Sequence, residues 1–123
     1  MSSRISREQG AAHEEDMTVR HRMTKTRASG CGKKEKGDVK DDNWCGEGKS
    51  TRGKSIAITE DILDKVWKDG QHMGAIPFID LDFTNEVKTR RPRHWVVVPG
   101  PVFQQLKHML KFLTPAQREE LLP

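Results

Sequence analysis

The stretch Gly37-Asp38-Val39-Lys40-Asp41-Asp42-Asn43-Trp44-Cys45-Gly46-Glu47-Gly48-Lys49-Ser50 decides how this chain is read. Asp41, Asp42 and Asn43 carry short polar side chains that hydrogen-bond to nearby backbone, so they favour a turn. Short extended runs, 37–40 and 44–50, lie on either side, and the three pieces spell a β-hairpin. In a strand the side chains of residues i and i+2 point to the same face. Glu47 and Lys49 therefore project side by side, and the neighbouring strand can bring Asp38 opposite them. Two carboxylates and one ammonium then converge. Oxygen donors of this kind suit Mg²⁺ or Mn²⁺, which keep several waters and accept substrate phosphate oxygens. A lysine beside such an ion can orient or activate an attacking water, or stabilise charge on a phosphoryl transition state.

The same residues contain Gly48-Lys49-Ser50-Thr51, the end of a phosphate-binding-loop pattern. That loop needs a glycine five residues before Gly48, where this chain has Asn43, and a helix beginning at the Lys-Ser pair. Arg52-Gly53 and the strand-like alternation Ile56-Ala57-Ile58 follow instead, so a nucleotide-binding loop is set aside.

Toward the C-terminus, Thr59 is a good N-cap, and Glu60 and Asp61 stand in the first turn where the helix dipole favours acids. The spacing predicts a helix over 60–73 with Ile62, Leu63, Val66, Trp67 and Met73 on one face, closed by Gly74. Residues 75–83, AIPFIDLDF, read as the best strand, with Ile79, Leu81 and Phe83 on one face and a solvated pair, Asp80 and Asp82, on the other. A last strand, His94 to Val98, precedes a helix opened by Pro101 with Val102, Phe103, Leu106, Met109, Leu110 and Leu113 on one stripe. Thr114 to Gln117 forms a capping box for a short terminal helix. Trp67 and Trp95 are expected in the core, and Trp44 at the hairpin turn suits edge packing or stacking on a base.

Toward the N-terminus, residues 28–37 form a glycine-rich basic loop. Before it, Ser6 and Gln9 make a capping box for a helix over about 7–24, where Ala12, Val19 and Met23 recur on one stripe. Glu15 lies on that stripe, and an acid on an apolar face needs a partner. The order of elements is that of one α/β domain with a small mixed sheet flanked by helices. Its parts are a helical region (1–27), a core (28–100) and C-terminal helices (101–123), with most buried material expected after residue 55.

Apolar residues make up 33% of the 123, well below the usual ~45–50%, so the core is thin or local. No run approaches the ~18 apolar residues of a membrane span, and MSSRISREQG has no apolar signal region. Two cysteines make neither a disulfide framework nor a zinc site, which points to a reducing, cytoplasmic setting. Cys31 lies among lysines without a basic partner for nucleophilic catalysis, and the five histidines (13, 21, 72, 94, 108) have no metal spacing with Cys31 or Cys45. The net charge of +4 hides a segregation: residues 18–40 hold eight basic groups and two acids, 88–93 add four basic groups, and 61–87 carry six acids against two lysines. Basic clusters around a mixed centre suit a polyanion such as nucleic acid.

Gly30, Lys36 to Val39, Gly46 to Thr51 and Ser55 to Ile58 together resemble the core of the PD-(D/E)XK nucleases, and more narrowly the archaeal-type and phage Holliday-junction resolvases. Gly74 to Phe83 resembles the strand after that family's central helix, and the likeness spans roughly residues 13–100. It departs from the pattern at Ala28, where the loop commonly has a glycine. The resemblance implies a restriction-endonuclease-like fold and a Mg²⁺- or Mn²⁺-dependent endonuclease that cuts branched DNA as a homodimer. The compact, basic, single-domain form points to a phage origin, and a phage-encoded protein would act in its host's cytoplasm. It implies Glu15, Asp38 and Glu47 as metal ligands, Lys49 as the catalytic lysine and Ser29 as a further catalytic or DNA-contacting residue, with Glu14 as an alternative to Glu15. Backbone contacts to DNA fall to Arg20, Arg22, Lys25, Arg27, Lys33, Lys34, Lys36, Arg52, Lys54, Arg90, Arg91 and Arg93, with salt-sensitive affinity. The alternatives are another nuclease with the same core, of repair or restriction type, and a non-catalytic DNA-binding module.

Overall fold

The computed structural model describes residues 3–25 and 38–123. Along the chain run α1 (Ser3–His21), β1 (Thr24–Lys25), β2 (Val39–Lys40), β3 (Trp44–Thr51), α2 (Glu60–Met73), β4 (Ile76–Phe83), β5 (His94–Val97), α3 (Gly100–Met109), a 3-10 turn (Leu110–Phe112) and α4 (Pro115–Glu119). The strands form one mixed sheet in the order β1-β2-β3-β4-β5. β2 runs antiparallel to both of its neighbours, β1 and β3, while β3 and β4 run parallel and β5 returns antiparallel to β4. The parallel step needs a crossover, and α2 supplies it. Among the described residues no helix is long and apolar enough to cross a membrane.

α2 forms where its local signals direct. The Thr59 hydroxyl accepts from the Ile62 N–H at 3.3 Å, and Gly74 ends the helix in the left-handed conformation at φ 63°. The Thr114–Gln117 capping box is also present. α1 begins earlier than its capping signal suggests, at Ser3, and stops at His21. Arg22 takes the left-handed position (φ 53°) that glycine usually fills, and the Met23 N–H closes back onto the Thr18 carbonyl at 3.0 Å.

Several expectations are corrected. Ile56 and Ile58 are half-buried and Ala57 is exposed, but they lie in an extended link without strand pairing. The alternation reflects packing on one side of a connection. The core does not sit mainly after residue 55: Met17, Met23, Val39 and Phe78 form its cluster, with Trp44 and Val98 against it. The apolar stripe of α1 is reversed. Val19 is 80% exposed, while His13 and Met17 are buried and Arg20 and His21 turn inward. Trp67 and Trp95 are half-exposed, not core. Asp80 and Asp82 are buried, not solvated, because α1 covers their face of the sheet. Phe103, Leu106, Met109 and Leu110 of the C-terminal stripe are exposed, since α3 makes only slight contact with the sheet and its helices.

Candidate active site

The hairpin register builds the site. Val39 pairs with Gly46, which sets the preceding residue, Asp38, across from Glu47. The Asp38 N–H donates to the Gly46 carbonyl at 2.7 Å, and the Gly48 N–H donates to Asp38 Oδ2 at 2.7 Å. Glu47 and Lys49 share the α2 side of β3 with Cys45. Gly46 and Gly48 share the α1 side. A Cβ on Gly48 would stand 2.7 Å from Met17 Sδ and 2.9 Å from His13 Nδ1, so only a glycine lets α1 come this close.

Across the Glu47 side runs α2, one of whose lysines reaches the site. Lys65 Nζ lies 3.2 Å from Glu47 Oε2 and 3.2 Å from Asp69 Oδ2. Burial, and after it the charge of Asp38, hold the Glu47 carboxyl above the usual carboxylate range, while Lys65 and Lys49 pull it down. Burial also pushes the neighbouring Cys45 thiol up to about 11, which keeps it from serving as a nucleophile at neutral pH.

The acid that α1 brings into electrostatic reach of Asp38 is Glu14. Its carboxyl is held up by burial first and by the charge of Asp38 second. Glu15 is 66% exposed and pairs with Lys25. The reason lies in the reversed face of α1: with His13 and Met17 turned to the sheet, Glu14 follows at the margin and Glu15 points away.

The donor set fits a hard divalent cation. Asp38 and Glu47 offer carboxylate oxygens, and Glu47 already takes a cation, the Lys65 ammonium. Among the described residues no three His, Cys, Asp or Glu side chains are grouped to hold an ion. A pair of carboxylates is what Mg²⁺ requires when water and substrate phosphate complete its shell.

The predicted DNA-contacting residues divide. Ser29, Arg27, Lys33, Lys34 and Lys36 lie outside the described residues. Arg22, Arg52, Lys54, Arg90 and Arg91 are exposed. Arg52 and Lys54 follow the C-terminal end of β3, and Asn85 bridges that turn to Arg93 by donating to the Gly53 carbonyl at 2.8 Å and accepting from the Arg93 guanidinium. Lys25 is engaged by Glu15. Arg20 is half-buried and turned inward: its Nη1 donates to Asp80 Oδ1 at 2.7 Å and its Nη2 lies 3.6 Å from Asp82 Oδ2.

That last contact belongs to a second cluster the sequence reading missed. Asp80, 0% exposed, also meets His13 Nε2 at 2.8 Å and His21 Nε2 at 2.5 Å. The signal was present in the spacing of His13, Met17 and Arg20-His21, one helical face made largely of polar residues. No protein-family model matches the chain, and no curated protein shows significant similarity to it.

Proposed function

We propose that this chain is a metal-dependent, structure-selective DNA endonuclease that hydrolyses phosphodiester bonds in branched DNA such as four-way junctions. The observation that carries the reading is the pairing of Asp38 against Glu47 with Lys49 two residues on, at a hairpin followed by a helix and a parallel strand. The order of helix, three antiparallel strands, crossover helix and parallel strand supports the likeness to the restriction-endonuclease-like core.

On this reading Asp38 and Glu47 hold Mg²⁺ or Mn²⁺, with Glu14 at the margin. The bound ion supplies Lewis-acid polarisation of the phosphate and a lowered pKa for water. Lys49, on the same strand face as Glu47, orients the attacking water and stabilises the charge that builds on the phosphoryl oxygens. The Gly48 N–H fixes one Asp38 oxygen and so sets the direction of the other. Arg52, Lys54, Arg90 and Arg91 supply contacts to the DNA backbone, which position a duplex without reading its bases. Paired nicks across a junction need two sites, so the reading includes a homodimer, with the exposed apolar stripe of α3 as the surface available to it.

Cleavage of a four-way junction, measured with Mg²⁺ beside linear duplex and single strand, tests this. Asp38→Asn and Glu47→Gln should each lower junction cleavage at least about a hundredfold while junction binding is retained. Cleavage that survives both changes removes the assigned site. Equal cutting of linear duplex points to a different nuclease with the same core. Tight binding with no cutting of any substrate points to a DNA-binding module.

A further inference from the structure

Lys65 lies outside the Asp38–Glu47–Lys49 set, yet its ammonium is the cation that Glu47 holds. It sits on α2 with its side chain 57% exposed, so it is free to swing. It is also 3.2 Å from Asp69, one turn further along the same helix. Asp69 has a side chain only 14% exposed and offers the lysine a second seat on the rim of the site. One ammonium thus stands between two carboxylates, and only one of them, Glu47, faces Asp38.

We propose that Lys65 is a built-in competitor for the divalent cation: it neutralises Glu47 when no metal is bound and withdraws to Asp69 as the metal takes the Glu47 carboxylate. The inference rests on the metal site proposed above. Three features of the geometry support it. An ammonium and a Mg²⁺ ion cannot both approach one carboxylate oxygen without mutual repulsion. The lysine reaches Glu47 from solvent-exposed α2, so its departure exposes no buried cation. Asp69 keeps Lys65 paired in both positions, which makes the exchange one ion pair for another. Lys65 therefore sets the metal concentration at which the site fills, and Asp69 sets how readily Lys65 gives way.

The test is direct binding of Mn²⁺ alone to the full chain, by isothermal titration calorimetry. Glu47→Gln is the control for the site: it should abolish the binding, and binding that persists in it removes the metal-site reading and this inference together. Given Glu47-dependent binding, Lys65→Met should tighten Mn²⁺ roughly fivefold, the size expected of one partly exposed ion pair. Asp69→Asn should weaken it by a similar factor, because Lys65 loses its second seat. Lys65→Arg should stay near the wild-type value.

The discriminating measurement is the double variant. If Asp69 acts through Lys65, Asp69→Asn is nearly silent in the Lys65→Met background. If each charge merely contributes to the local field, the two effects add. Additivity, or an unchanged or weaker Mn²⁺ affinity in Lys65→Met, overturns the proposal and leaves the Asp38–Glu47 site standing.

Discussion

Asp80 and Glu47 stand on neighbouring strands and look out of opposite faces of the same sheet, and their surroundings push them in opposite directions. Asp80, beneath α1, is fully enclosed. Burial alone would raise its carboxyl, but His13, His21 and Arg20 hydrogen-bond to it and bring it down to about 2. Glu47, beneath α2, is burdened by burial and by Asp38, and Lys65 and Lys49 compensate only in part, so its carboxyl stays raised. A buried acid saturated with donors is a structural fixture. A buried acid short of positive charge is unstable as it stands and gains most from a cation that arrives later.

The largest effect that should separate the two faces comes from Asp80→Ala. It strands Arg20 and two histidines without their acceptor, and should cost about 3–5 kcal/mol in urea unfolding. A loss below about 1 kcal/mol would place Asp80 among ordinary acids. The same carboxylate governs acid behaviour. Because its folded pKa lies below the ordinary 3.8, its contribution is present above pH 4 and is lost as the pH falls toward 2. That contribution is about 2 kcal/mol, and the Asp80→Ala protein should lack this part of the acid transition.

Gly48→Ala comes next. The new methyl presses on Met17, which can shift, and on His13, which Asp80 pins, so a cost of about 1–3 kcal/mol is expected in the same measurement. The smallest effect, and the one of opposite sign, belongs to Glu47→Gln. A carboxyl raised in the fold destabilises it increasingly as pH rises through its ionisation, so removing the charge should leave stability at pH 7 unchanged or higher by up to about 0.5 kcal/mol. A destabilisation like that of Asp80→Ala would erase the contrast between the two faces.

How much of this was legible in the sequence follows the same division. α2 and β4 were readable because caps, periodicity and alternation all act within a few residues. The hairpin and its Asp38–Glu47–Lys49 set were readable because register in a tight hairpin is fixed by the turn itself. α1 misled because its buried face consists of His13, Met17, Arg20 and His21, whose burial is stabilised by an aspartate 67 residues from His13. A search for an apolar stripe passes over such a face, although its spacing is there in the sequence. The different surroundings of Glu14 and Glu15 were hidden for the same reason, since they depend on the rotation of α1 that Asp80 sets. Asp80 and Asp82 looked solvated because alternation in a strand suggests one wet face, whereas a strand inside a mixed sheet with helices on both sides has none. Lys65 was invisible because only the crossover geometry brings α2 over β3.

The anchoring of α1 by Asp80 has a consequence for how the protein comes into being. α1 is synthesised well before β4, yet the residue that seats it, Asp80, belongs to that strand. The contact closes a long loop, which makes it entropically costly until β3 and β4 have joined. α1 therefore docks only after β3 and β4 have joined, and Glu14 comes into electrostatic reach of Asp38 only then. A cluster assembled in this order stays incomplete until the sheet has formed.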